Sequence, residues 1–346
     1  MKYFSLFSGI GGFELGIEKA TNDTVTTGKQ PRVRQKGKSI SINKQVGLGT
    51  QQFHCIGYSE IDKYAIQIYK THFPTHKNYG DATRIIPEEL PDFDLLCAGF
   101  PCQSFSIAGK RGGFEDTRGT LFFEIARIAG VKKPHYLFLE NVKGLLSHDK
   151  GNTFATILSA LDELGYDCQW CVLNSKNFGV PQNRERVFII GHIRGTSRPK
   201  VFPIKGSDRE VKRLVYAQKA DREIARIYDP KGLAPTLHLK TGGWQEPKIR
   251  IDNLHYHRTG EYGNGIHYNI TPVLDSGCGR DLAINKIRRL TPTECERLQG
   301  FLDGWTEGLS DTQRYKCLGN AVTVNVVVEI VKRLIKNIIP SLPFEG

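Results

Sequence analysis

The stretch YFSLFSGIGGFELG, Tyr3 to Gly16, decides the fold. Tyr3 to Phe7 is a short apolar run with the length of a buried strand. Ser8 to Gly12 is a glycine turn, and Phe13 to Ala20 has the spacing of a helix. Strand, glycine turn and helix in that order are how doubly wound α/β folds present a helix N-terminus to a nucleotide-like ligand. Gly9, Gly11 and Gly12 let the backbone come close to such a ligand. The dinucleotide pattern G-x-G-x-x-G fails, because Glu14 stands at its last position.

The same alternation continues outward. Phe53 to Ser59 reads as a second strand ending at Glu60, which is placed to accept from ribose hydroxyls; Asp81 is placed to do the same for an adenine amino group. Asp94 to Gly99 and His135 to Leu139 are further strands, the latter ending at Glu140-Asn141. Thr120 to Ala129 is helical, and Thr153 to Leu164 is an amphipathic helix closed by Gly165. Tyr166 to Leu173 and Val187 to Ile193 complete the strands. Continuous apolar strands alternating with helices predict a doubly wound, mostly parallel sheet covered on both faces. The site of such a sheet lies beyond the carboxyl ends of its strands, where Gly9, Glu60, Cys102 and Glu140 all fall.

A chain of 346 residues with 39% hydrophobic content has room for one large and one smaller domain. Its net charge of +12 favours a polyanionic partner, most simply nucleic acid. The eight cysteines are scattered, no apolar run reaches membrane length, and MKYFSLFSGIGG breaks into glycines too early for a signal peptide. We therefore expect a cytoplasmic protein with free thiols and no membrane contact. Thr21 to Gln52 reads as an insertion without clear period. It holds six basic residues (Lys29, Arg32, Arg34, Lys36, Lys38, Lys44) and no acid beyond Thr24, which leaves a solvated linker and a phosphate-contacting arm both open. Val211 to Tyr228 has the composition of a charged helix, and Pro230 to Asn285 that of a small irregular domain. Regular structure resumes at Arg288: Thr291 to Glu294 is a capping box, and Ala321 to Ile338 a final helix with an apolar face. Cys168 and Cys171 form a lone C-x-x-C on a strand, which is no metal site.

Seven motifs follow in order: FSLFSGIGGFELG, YSEIDKYA, GFPCQSFS, LENV, QNRERV, LTPTECERLQGF and KCLGNAV. Together they resemble the bacterial and phage C5-cytosine DNA methyltransferases, and Gly99 to Arg194 is similar to the single-target enzymes of restriction–modification systems. The likeness spans residues 1–20, 53–195 and 286–335. It implies a Rossmann-like S-adenosylmethionine-dependent methyltransferase fold, with a catalytic domain over 1–195, a target recognition domain over 196–287, and a return to the catalytic domain over 288–346. The cofactor would be held by Phe7, Gly9, Gly11, Gly12, Glu60, Ile61, Asp81, Pro101, Leu121, Asn320 and Val322. The resemblance implies double-stranded DNA as partner, contacted by Gln103, Ser106, Arg118 and Thr236, and a monomer in a bacterial cell or phage-infected host, with any cognate endonuclease acting separately. Ser5 and Ala108 depart from the family, which often has Asp at the first position and in some members Ser at the second.

The chemistry asks for these residue types independently. Cytosine C5 is a poor nucleophile until a thiolate adds to C6 and makes C5 enamine-like. Cys102, past a strand end and behind Pro101, is the candidate nucleophile; Cys97, inside the strand, suits a core thiol. Addition at C6 drives charge toward N3, so an acid must serve N3, and Glu140 fits if burial raises its pKa. Gln182, Arg184 and Arg186 share one face of an extended segment and are donors for the cytosine O2, a phosphate or the Cys102 loop. The resemblance implies that role most directly for Arg186; for Arg184 a structural salt bridge is an equal alternative. The target atom is out of reach inside a duplex, so the base must leave the stack. Two other classes share parts of this set. A non-catalytic relative tends to lose Cys102, Glu140 or the glycine loop, all of which are present. A tRNA-directed relative keeps the catalytic set, and the long glycine-rich segment argues instead for duplex reading.

Overall fold

A computed structural model describes residues 1–26, 53–101, 121–196, 200–204, 227–228, 234, 236–237, 248–254 and 284–338. In chain order the elements are β1 (Lys2–Leu6), α1 (Gly12–Thr26), β2 (His54–Ser59), α2 (Lys63–His72), β3 (Leu95–Gly99), α3 (Leu121–Lys132), β4 (Tyr136–Val142) and α4 (Asn152–Glu163). They continue with β5 (Tyr166–Asn174), β6 (Glu185–Ile193), β7 (Ile227–Tyr228), β8 (Lys248–Leu254), β9 (Ile284–Arg289), α5 (Pro292–Gln299), α6 (Asp311–Asn320) and α7 (Val324–Ile338).

Six strands form one sheet in the order β2-β1-β3-β4-β6-β5. The four from β2 to β4 are mutually parallel, and β6 runs antiparallel between β4 and β5. Alternation along the strands sorts the core into two layers. Tyr3, Leu95, Cys97, Tyr136, Phe138 and Phe188 face α1 and α7. Phe4, Leu6, Leu96, Ala98, Leu137 and Leu139 face α3 and α4. β7, β8 and β9 make a separate three-stranded sheet.

The doubly wound, mostly parallel sheet expected from the sequence is present. Several boundaries differ. α1 continues through Thr26, so the first six residues of the expected insertion are helix; 27–52 lie outside the described residues. β4 runs past Leu139 to Val142, because Glu140, Asn141 and Val142 pair with Phe188, Val187 and Arg186 of β6. Ile227 and Tyr228 are strand rather than the end of a charged helix, and 211–226 lie outside the described residues. β9 begins at Ile284, four residues ahead of the expected return, because it pairs with β8. The expected helix from Ala321 starts only at Val324, since α6 ends at Asn320 and Ala321 is extended. The capping box at α5 forms in both halves: Glu294 N–H donates to Thr291 Oγ1 at 3.2 Å, and Thr291 N–H to Glu294 Oε2 at 2.7 Å.

Candidate active site

The carboxyl ends of β1 to β4 open into a cleft of about 1000 Å³. Its first wall is the glycine turn. Phe7 takes a left-handed φ of 56°, a conformation costly for an aromatic residue, and Gly9 a φ of 56°. A Cβ built on Gly9 meets nothing within 4 Å, so the turn leaves open space at the cleft. Glu60, at the tip of β2, closes this wall. Its Oε2 accepts from Gly9 N–H at 2.8 Å, and its Oε1 from the N–H groups of Ile61 and Asp62, each at 2.8 Å. Ile61 stands 71% exposed beside it. Asp62 caps α2 and pairs with Lys316 of α6 at 2.6 Å, which draws the C-terminal helices over the cleft and holds the Asp62 carboxyl below its ordinary range. Asp81 lines the floor; its carboxylate accepts from Thr83 N–H and Oγ1, which lowers its pKa.

The inner end is acidic and basic at once. Glu140 stands in β4 beside Gly99 of β3, and its Oε1 lies 3.1 Å from Arg186 Nε of β6. Burial raises the Glu140 pKa against the opposing pull of Arg186 and Arg184. The same burial lowers the pKa of Arg186. Asn141, fully buried, donates from Nδ2 to Phe100 O at 2.9 Å and accepts Val142 N–H at 2.7 Å. It thereby fixes the backbone two residues ahead of Cys102. Arg184 is 2% exposed. It donates to three carbonyls, Leu237 O at 3.3 Å, Gly319 O at 3.1 Å and Ala321 O at 2.9 Å. Among the described residues it has no carboxylate partner within ion-pair distance, so its partners are backbone carbonyls rather than a salt bridge. The Gln182 side chain is fully buried, and neither of its amide atoms has a hydrogen-bond partner among the described residues. Thr236 Oγ1 donates to Asn183 O at 2.8 Å.

Phe7, Gly9, Glu60, Ile61, Asp81, Pro101, Leu121, Glu140, Arg184, Arg186, Thr236 and Asn320 thus line a single cleft, although they come from nine parts of the chain. Gly11, Gly12 and Val322 stand outside its lining and serve packing. A Cβ on Gly11 would come within 2.6 Å of Phe73, and one on Gly12 within 2.7 Å of Val322 Cγ1. Cys102, Gln103, Ser106 and Arg118 lie outside the described residues. Among the described residues no group of three or more His, Cys, Asp or Glu side chains is arranged to hold a metal, and no helix is long and apolar enough to cross a membrane. Asp62, Asn141, Lys316 and Asn183 also line the cleft and were not singled out from sequence. Asp62 carried a signal, an acid ahead of a helical segment; Lys316 carried none, because α6 reaches the cleft only through tertiary packing.

Residues 1–336 match the family of C-5 cytosine-specific DNA methylases. Type II methyltransferase M.HhaI of Haemophilus parahaemolyticus is 35% identical over 94% of this chain and 92% of its own length. Type II methyltransferase M.HpaII of Haemophilus parainfluenzae is 36% identical over 97% and 89%, and M.NgoBI of Neisseria gonorrhoeae 36% over 98% and 94%. Among solved structures, the Dnmt2 methyltransferase of S. pombe superposes with a TM-score of 0.61 at 17% identity, over 97% of this chain and 98% of that one. The Entamoeba histolytica methyltransferase EhMeth does so with a TM-score of 0.60 at 18% identity, over 98% and 99%. These two likenesses concern the fold.

Proposed function

The chain belongs to the C-5 cytosine-specific DNA methylases and is a DNA (cytosine-5-)-methyltransferase, and on that premise we propose how its cleft divides the work. The outer end holds S-adenosylmethionine, which when bound supplies an electrophilic methyl group. The wall there suits such a group: Glu60 offers carboxylate lone pairs to ribose hydroxyls, Ile61 an exposed apolar surface to a purine, and Gly9 open space. Asp81 accepts from the adenine amino group, with Pro101, Leu121 and Asn320 enclosing the remainder.

The inner end takes a cytosine extruded from duplex DNA. The Cys102 thiolate adds to C6, and the electron pair of the C5–C6 double bond moves toward N3. Glu140, kept protonated by burial to a higher pH than an ordinary carboxyl, donates to N3. Arg186 holds that carboxyl in place. C5, now enamine-like, would accept the methyl as the S–CH3 bond of the sulfonium donor breaks and a neutral thioether leaves; loss of the C5 proton, return of the N3 proton to Glu140 and expulsion of the Cys102 thiolate would then restore the aromatic ring. Asn141 steadies Phe100, which lies two residues ahead of Cys102 in the sequence. Gln103, Ser106, Arg118 and Thr236 contact DNA, and residues 196–287 read its sequence.

The observation that carries this reading is the Glu140–Arg186 pair. It is buried beside Gly99, three residues ahead of Cys102, and it shares one cleft with Glu60. Bisulfite sequencing of DNA from cells expressing the chain should show C5-methylated cytosine at one sequence context. Cys102→Ala should abolish this while duplex binding persists. A duplex carrying 5-fluorocytosine should trap an adduct at Cys102 and at no other of the eight cysteines. Methylation by Cys102→Ala, or an adduct elsewhere, refutes the mechanism.

A further inference from the structure

Two helices that meet at the outer end of the cleft are joined by an ion pair. Lys316 Nζ of α6 lies 2.6 Å from Asp62 Oδ2 at the head of α2. The other oxygen of Asp62 caps α2, accepting from Tyr64 N–H at 2.9 Å and Ala65 N–H at 3.2 Å. The backbone N–H of Asp62 donates to Glu60 Oε1. Lys316 stands four residues ahead of Asn320, so the two share a face of α6 one turn apart, and both line the cleft. The pair thus stands between the wall that carries Glu60 and Ile61 and the wall that carries Asn320. Each wall has anchors of its own. α2 buries Ala65, Ile68 and Tyr69, and at its far end His72 stacks on Trp305 at 3.5 Å. α6 is tied to α5 by Arg314 and Glu296 at 3.1 Å, and by Gln299 Nε2 donating to Leu318 O at 2.9 Å. The fold therefore stands without the pair, whose particular effect is on the spacing of the two walls.

We propose that Lys316 is a positioning residue for the cofactor: its pair with Asp62 holds the Asn320 wall against the Glu60–Ile61 wall and tightens the outer end around the adenosyl group. This rests on the assignment of the outer end to S-adenosylmethionine. The contribution is indirect, since Lys316 acts through Asp62 and α6 and not as a ligand of the cofactor. It also has a signature. The side chains of the pair are 40% exposed at Lys316 and 30% at Asp62, so dissolved salt screens their attraction. S-adenosylhomocysteine is a zwitterion without net charge, on which salt has little direct pull. Its binding therefore senses salt mainly through the pair.

The test is calorimetry of S-adenosylhomocysteine binding to the full-length protein. Lys316→Met should weaken binding by about three- to fivefold. Asp62→Asn, which keeps an oxygen to cap α2, should lose as much, and the double variant should be no more than about twofold weaker than either. Lys316→Arg, which restores the charge, should stay within about twofold of the wild type. Raising salt from about 0.05 to 0.5 M should draw the wild type toward the variants and change Lys316→Met by less than about twofold. Full affinity in either single variant, losses that multiply in the double variant, no rescue by Lys316→Arg, or a wild type no more salt-sensitive than Lys316→Met overturns the proposal. Where Lys316→Met fails to fold, Asp62→Asn takes its place in the salt series. A protein that binds no S-adenosylhomocysteine fails the preceding reading, whereas one that binds it equally in every variant fails only this one.

Discussion

Two buried carboxyls with raised pKa values have opposite companions. Glu140 has Arg186 at 3.1 Å, whereas Glu14, fully buried in the first turn of α1, faces Ser5, Tyr69 and Glu18 and no basic group among the described residues. Removing Glu140 deletes the proton donor to N3, so Glu140→Ala should lower kcat by about 10²- to 10⁴-fold while calorimetric affinity for the cofactor changes little. Glu140→Gln keeps an N–H donor and should retain more activity than the alanine variant. It should also lose whatever alkaline fall in rate comes from ionising the carboxyl. For Glu14, burial lifts the pKa to about 7. Between the ordinary carboxylate range and that value the unfolded chain ionises while the folded one stays protonated, so this group makes stability fall as pH rises, levelling off above about 7. The neutral variant Glu14→Gln escapes that loss. At pH 8 it should exceed the wild type by roughly 3 kcal/mol in urea unfolding, and the difference should shrink to nothing below about pH 4.5.

Helices α1 and α7 meet so closely that glycine is required between them. A Cβ on Gly16 would lie 2.5 Å from Val327 Cγ1 and 2.6 Å from its Cβ, and Val327 is fully buried. Neither atom is the far end of a flexible chain, so the helices must separate to admit a methyl group. Gly16→Ala should therefore destabilise by about 1–3 kcal/mol despite alanine's better helix propensity, measured as a lower urea midpoint at unchanged slope. Such pairings mark the limit of what sequence shows. The strands of the main sheet, the glycine turn and the α5 capping box were legible, because each is written in local period or local chemistry. Glu60 and Glu140 were legible too, since each follows an apolar strand. The reversed direction of β6 was not: an apolar strand looks the same whichever way its neighbour runs. That reversal is nevertheless what places Arg186, at the start of β6, opposite Val142 and within reach of Glu140. The carbonyl clasp of Arg184 was equally hidden, because its acceptors are backbone atoms more than fifty residues away. The close packing at Gly11 and Gly12 was hidden as well, because a glycine that admits a neighbouring side chain and one that admits a ligand read alike in sequence.

At the scale of the molecule, a net charge of +12 predicts a strong electrostatic share in DNA affinity. The six basic residues between Lys29 and Lys44 all follow the end of α1 at Thr26. Replacing residues 27–50 by a short glycine bridge should flatten the slope of log K against log salt by roughly 2 to 4 units while leaving the methylated sequence unchanged. An unchanged slope in a folded, active deletion would assign the segment to solvent. The seam between α1 and α7 has a bearing on time as well as on energy. On a ribosome, the glycine turn and α1 are made first, and the helix that covers them comes last of all the described elements. At about 5–20 residues per second, roughly 15 to 60 seconds pass between the two. Through that interval α1 lacks its cover, and α6, which brings Lys316 and Asn320 to the cleft, is also still to come. A nascent chain therefore cannot modify DNA while it is being translated. Activity begins only once α6 and α7 have emerged, so the delay before any molecule can act includes synthesis of everything between Gly12 and Ile338.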